Sequence, residues 1–128
     1  MKKILVIGSN GQLGNCFKKL AADFETQFEF KFADSQELNI TDSRAVENFL
    51  DEFQPQIIFI SAGFDGHLED DMGNFGLVDA DYKWITERIV KWAQTLCDGR
   101  IVSVLEGGYE LSPLSRSVAV HVQALVDA

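Results

Sequence analysis

Short segments of this sequence hold residue types able to do chemistry, and each follows a stretch that reads as a strand. Gly8-Ser9-Asn10-Gly11-Gln12-Leu13-Gly14 lies between an apolar run and an amphipathic stretch. Glycines there permit a tight turn, and backbone N–H groups at a helix N-terminus can receive a pyrophosphate. Asp34 comes just past the next expected strand, where a carboxylate can hold a ribose hydroxyl. A glycine loop in a parallel α/β protein can equally be only a tight turn. Further on, Asp65-x-His67 offers two donors that would chelate a metal weakly, whereas a catalytic zinc takes three protein ligands plus water. The chain has only 2 His, and the second, His121, falls inside the last expected helix with no acidic or Cys partner at ligand spacing. Glu69, Asp70 and Asp71 lack the glycine-centred spacing of a calcium loop and read as a solvated loop. Cys16 and Cys97 occupy apolar helical positions and read as reduced core thiols.

The elements that must position these residues follow from hydrophobic periodicity. Lys3 to Ile7 is a continuous apolar run, as in a strand buried on both faces at the centre of a parallel sheet. Leu13, Cys16, Phe17, Leu20, Ala21 and Phe24 recur at helical spacing and predict one buried stripe. Phe28 to Phe32 alternates apolar and charged residues, which puts strand two at the margin of the sheet. Thr41 or Asp42 can cap a second helix with Val46, Phe49, Leu50 and Phe53 on its apolar face, and Pro55 ends it. Strand three is Ile57 to Ser61. A long connection, Ala62 to Val78, ends at Asp79 as the expected cap of a helix carrying Tyr82, Ile85, Ile89, Trp92, Ala93 and Leu96. Its length marks it as functional or mobile. Trp84 falls beside that stripe. Asp98-Gly99 stops this helix, Arg100 to Leu105 is strand four, and the last helix opens with Ser112 as cap and Pro113 at its first position.

Repeated βα units with short connections require right-handed crossovers, hence one parallel sheet with helices on both faces. The predicted fold is a single α/β domain over residues 1–128, a three-layer sandwich of the Rossmann-like or flavodoxin-like kind, with strand order 2-1-3-4. At 128 residues the chain suffices for one core, and 46% hydrophobic with 24% charged residues is a globular profile. A net charge of -9 without any clustered Lys and Arg excludes nucleic acid and anionic membrane as partners. The apolar run Ile4 to Ile7 is too short to span a bilayer, so a cytoplasmic protein is expected.

From Met1 to about Ile58 the chain resembles the sugar-nucleotide reductases of the extended short-chain dehydrogenase group. The residues that carry this are Lys3 to Gly8, the Gly8/Gly11/Gly14 loop with Gln12-Leu13, and Leu38-Asn39-Ile40-Thr41-Asp42. The resemblance implies that the loop binds an NADPH pyrophosphate and that the segment near Ile40 touches the adenine, although Asp is usual where Asn39 stands. The Tyr-x-x-x-Lys pair of that group is missing: Tyr82 is followed by Lys83, and Tyr109 by Glu110-Leu111-Ser112-Pro113.

From about Ile57 onward the chain resembles the zinc-dependent histone deacetylase and acetylpolyamine amidohydrolase group. The carriers are Ser61-Ala62-Gly63-Phe64-Asp65-Gly66-His67 with Asp70-Asp71-Met72-Gly73, and Val104-Leu105-Glu106-Gly107-Gly108-Tyr109. This resemblance implies Asp65 as a zinc ligand, with His67 as a candidate second donor, and Tyr109 as the residue that polarises an acyl carbonyl. The two further ligands and the histidine pair of that group are absent from this sequence.

Together these resemblances predict a recombined or engineered chimera, reductase-like over 1–57 and deacetylase-like over 58–128, joined in a shared strand. Such a chain would not be an enzyme: Asp65 and Tyr109 would be relics, and no metal would be held. No cofactor is expected, with NADPH bound weakly at most through Gly8, Gly11, Gln12, Leu13, Gly14, Asp34 and Ile40. The alternative function is a nucleotide-binding module using the same loop. The Ile101 to Val104 backbone at the sheet edge predicts a weak homodimer as the only association.

Overall fold

The computed structural model describes residues 1–34, 36–39 and 42–128. Strands β1 (Lys2–Ile7), β2 (Phe28–Ala33), β3 (Ile57–Ala62) and β4 (Ile101–Leu105) alternate with helices α1 (Gln12–Ala21), α2 (Ser43–Phe53), α3 (Asp79–Cys97) and α4 (Leu111–Val126). A short 3-10 turn, Ala22–Phe24, follows α1. The strands form one sheet in the order β2-β1-β3-β4, and every pairing is parallel, as the βα repetition predicts. Leu5 lies opposite Ile58, and Ile58 opposite Ile101, so one row of aliphatic side chains crosses the sheet on a single face.

That face carries the core. One cluster joins Ile58, Ile60, Ala62 and Phe64 to Tyr82, Ile89, Ala93 and Cys97 of α3, with Val118 and Leu114 of α4 packed against it. A second joins Leu5, Ala33 and Leu38 to Val46, Leu50 and Phe53 of α2. Ile7 and Trp92 pack against both clusters, so the interior is continuous from the first strand to the last helix. The opposite face is covered by α1, where the Phe17 ring meets Phe59 edge-on at 4.5 Å. Val102 and Val104 of the edge strand β4 stay exposed there.

Several local expectations need correction. The predicted α1 stripe is not buried: Cys16, Leu20 and Phe24 are exposed, and Gly14 is the buried residue of that helix. One helix on that face leaves its outer apolar positions without a neighbour, so Cys16 is a surface thiol while Cys97 is buried. Asp79 is not the cap of α3 but its first residue. The N-cap is Val78, whose N–H is taken by Asp81 Oδ2 at 2.9 Å. Likewise α4 starts before Ser112, with Glu110 as its N-cap. Asp42 does cap α2, accepting from the N–H groups of Arg44 and Ala45, and Gln54 in the left-handed region closes it before Pro55. Thr41, the other candidate cap, and Ile40, expected at the adenine, lie outside the described residues. Among the described residues no helix is long and apolar enough to cross a membrane.

Candidate active site

In a parallel sheet the carboxyl ends of the strands share one edge, and the loops leaving β1, β3 and β4 meet there. They enclose a cleft of about 330 Å³ lined by Gly11, Gln12, Gly63, Asp65, Glu106, Gly107 and Tyr109. Asp65 comes from the loop after β3 and Tyr109 from the loop after β4, so the fold brings together two residues far apart in sequence. Asp65 is half-buried, and the Tyr109 side chain is 60% exposed. Gly63 and Gly107 line the cleft beside the carboxylate. A Cβ on Gly107 would lie 2.9 Å from Asp65 Cγ, so a side chain there would displace the carboxyl group.

Glu106 closes the end of the cleft nearest α1. Its Oε1 accepts the N–H of Leu13 at 2.9 Å, and its carboxylate also accepts from Ser61 Oγ and the Gln12 N–H. Burial pushes this carboxyl up, but the hydroxyl of Ser61 and the N–H groups of Leu13 and Gln12 outweigh it and hold the group below its ordinary value. The chain's own anion therefore sits where the glycine loop would receive a phosphate. A Cβ on Gly11 would lie 2.5 Å from Glu106 Oε1, so Gly11 makes room for Glu106. Gly14 packs directly against the Ser9 backbone, and Gly8, at φ +80°, turns the chain out of β1.

The other expected ribose contact is also used internally. Asp34 accepts the N–H groups of Glu37 and Gln36, both at 2.8 Å, and the Asn10 amide at 2.6 Å. The Glu37 and Gln36 N–H groups hold its carboxyl below the ordinary carboxylate range. Asp34 thus closes a turn after β2 and ties it to the glycine loop.

The connection Ala62 to Val78 is a built structure. His67 is buried, and its Nδ1 accepts the Glu69 N–H at 3.1 Å, leaving Nε2 to donate to Asp79 Oδ1 at 2.9 Å. Asp79 Oδ2 takes Arg116 Nε at 2.9 Å, and Arg116 also pairs with Glu69, so the connection, α3 and α4 are clasped together. Burial pushes the Asp79 carboxyl up, and Arg116 and His67 more than reverse it. Asp70 is only 4% exposed, and backbone N–H groups surround its carboxylate. The reading of Glu69 to Asp71 as solvated is therefore corrected for Asp70, while Glu69 is exposed and pairs with Arg116. His121 bridges Thr86 Oγ1 and Ser103 Oγ, each at 2.8 Å, and burial pushes its imidazole down, so it serves as a neutral link of α4 to α3 and β4.

Both ring nitrogens of His67 are thus engaged away from Asp65. Among the described residues no group of three His, Cys, Asp or Glu side chains is placed to hold a metal ion. A catalytic zinc needs three protein ligands, so the donor set here, Asp65 alone, does not make a zinc centre.

The family model of the histone deacetylase domain matches residues 11–125. The chain belongs to the histone deacetylase family. It is 46% identical over 81 residues to a type-2 histone deacetylase 2 of Dictyostelium discoideum, an alignment covering 61% of this chain and 5% of that protein. It is 44% identical over 66 residues to a probable deacetylase of Archaeoglobus fulgidus, covering 52% and 18%. A polyamine deacetylase of Mus musculus is 39% identical over 75 residues, covering 59% and 11%. The chain therefore spans a small part of these relatives. The crystal structure of the HDA15 HD domain shares the fold at 19% identity, with a TM-score of 0.70 over 98% of this chain and 44% of that one.

These matches overturn the chimera. The histone deacetylase model runs without a break across the expected junction at 57/58 and takes in Gly11 to Gly14, and the continuous core has no seam there. Gly11, Gly14 and Asp34 lie inside the matched region, and the resemblance to a reductase rested on glycines between a strand and a helix. The expectations of an artificial protein, of a chain outside any enzyme family, and of an NADPH-binding module fall with it. Glu106, Asp70 and Asp79 were missed as organising residues. For Glu106 the available signal was a carboxylate beside paired glycines; for the others, acids inside a long connection that needs fastening.

Proposed function

We propose that this chain forms part of a site that hydrolyses N-acetylated amines, acetyl-lysine or an acetylpolyamine. The observation that carries it is the cleft whose lining brings Tyr109 and Asp65 together with Gly63 and Gly107. The names of the matched relatives, histone deacetylases and a polyamine deacetylase, support the substrate class.

In amide hydrolysis a water oxygen adds to the acyl carbon, the carbon–nitrogen bond breaks, and a proton reaches the departing amine. Negative charge gathers on the acyl oxygen as the water adds. Tyr109 supplies an O–H that donates to that oxygen, and such a donor contributes most when its aim is fixed beforehand. The glycines let a flat acyl group approach the backbone closely. Two cysteines with no disulfide between them fit a reducing, cytoplasmic setting.

Acetate release from an acetyl-lysine peptide and from an acetylpolyamine tests the reading. Tyr109→Phe is expected to lower kcat about 100-fold with little change in KM, and Asp65→Asn to lower it at least as much. Release indifferent to both substitutions refutes the proposal. So does its absence combined with no acetyl-lysine-induced amide shifts at Gly63, Gly107 and Tyr109.

A further inference from the structure

We propose that Asp70 is the positioning residue of Tyr109, an inference that rests on the acyl-oxygen role of Tyr109. Asp70 Oδ2 accepts the backbone N–H of Tyr109 at 2.8 Å and that of Glu110 at 3.2 Å, while Oδ1 accepts the N–H of Met72 at 2.9 Å. All the donors are main-chain groups, so the carboxylate grips the path of the backbone on both sides of the Tyr109 carbonyl. Glu110 is the N-cap of α4, and its own side chain makes no capping bond. Asp70 holds the N–H of that N-cap residue from a distant segment, through a charge-assisted bond.

Tyr109 needs such an anchor. Its side chain is largely exposed, so packing does little to aim it. The residues before it are Gly107 and Gly108, the latter at φ +143°, a conformation that favours glycine and leaves the chain intrinsically loose. The other end of the same turn is tied by the Phe64 N–H, which donates to the Gly107 carbonyl at 2.7 Å. Phe64, Asp65 and Asp70 all belong to the connection after β3. One segment therefore holds the Tyr109 turn at both ends and also carries the carboxylate that faces it. The Tyr109 N–H, with that of Met72, keeps the Asp70 carboxyl below the ordinary range, so the anchor is ionised at neutral pH.

Amide hydrogen exchange in the full chain decides the matter. In Asp70→Asn, exchange at the Tyr109 and Glu110 amides is expected to speed up at least about tenfold, the loss of charge-assisted bonds, while the Ala93 amide in the core keeps its wild-type rate. Asp70→Glu, which retains a carboxylate, is expected to recover part of the protection, and it replaces the Asn variant should that one unfold. In the acetate-release assay Asp70→Asn lowers kcat and leaves KM, and adds no further loss in a Tyr109→Phe background. Unchanged exchange at Tyr109 and Glu110 overturns the proposal, as does faster exchange with wild-type kcat in a chain where Tyr109→Phe is impaired. If Tyr109→Phe leaves turnover untouched, the acyl-oxygen reading fails by itself, and the exchange rates alone decide whether Asp70 holds Tyr109.

Discussion

Two glycine-rich connections leave the same edge of the sheet and end up with opposite uses. The one between β1 and α1 is filled from within: the Glu106 carboxylate lies against Gly11 and takes the first N–H groups of the helix. The one between β4 and α4 is left open, and its glycines carry Tyr109 to the rim of a cleft. Glycine between a strand and a helix thus guarantees only that something approaches the backbone closely. Whether that something is a ligand or another part of the chain depends on which acidic or polar side chain arrives from elsewhere in the fold.

Substitutions in the two loops sharpen this contrast. The largest effect is expected for Gly14→Ala, whose Cβ would run into the backbone of Ser9, a contact no rotamer change relieves. A loss of roughly 3 kcal/mol is anticipated, at the upper end for overpacking, and a urea unfolding midpoint close to wild type would contradict it.

Glu106→Gln comes next, with a cost of about 1 kcal/mol at neutral pH for a weakened helix cap. Its pH signature is more specific. The folded value of Glu106 lies below its ordinary 4.5, so its contribution is complete above that value and disappears as pH falls through the lowered one. Wild-type stability should therefore decline more steeply below about pH 5 than that of the variant. Parallel stability curves for the two proteins would mean that Glu106 does not serve as the internal anion.

The smallest stability effect belongs to Gly107→Ala. Its Cβ would press on the movable end of the Asp65 side chain rather than on backbone, so the cost should stay below about 1 kcal/mol. Acetate release should nonetheless fall, because the carboxylate is pushed off its position. A variant that unfolds early but retains full activity would reverse the contrast between the two loops.

The sheet was legible because Lys3 to Ile7 and Ile57 to Ser61 are apolar on both faces and Phe28 to Phe32 on one, which ranks the strands from centre to margin before any contact is known. The cleft was half legible: Asp65 and Tyr109 stand in recognisable local patterns. What joins them was not, since Glu106 to Leu13 and Asp70 to Tyr109 are bonds between segments that local periodicity cannot relate. The same limit misplaced α1. Its stripe has flawless helical spacing, yet burial depends on what lies across from it, and beyond Phe17 little does. Asp79 was misread as a cap because an acid before a helix usually acts locally, whereas here it answers to His67 and Arg116.

The uneven covering of the sheet also governs how the protein can be watched. Both tryptophans, Trp84 and Trp92, lie on α3, where the Arg88 guanidinium sits 5.5 Å from each ring. The rings of Phe17 and Phe59 occupy the opposite face, under α1. Tryptophan emission therefore reports one side of the sheet only. Detachment of α1 would pass almost silently in fluorescence and surface in far-ultraviolet circular dichroism, so a lag between the two signals would mark the thinly covered face as the first to let go.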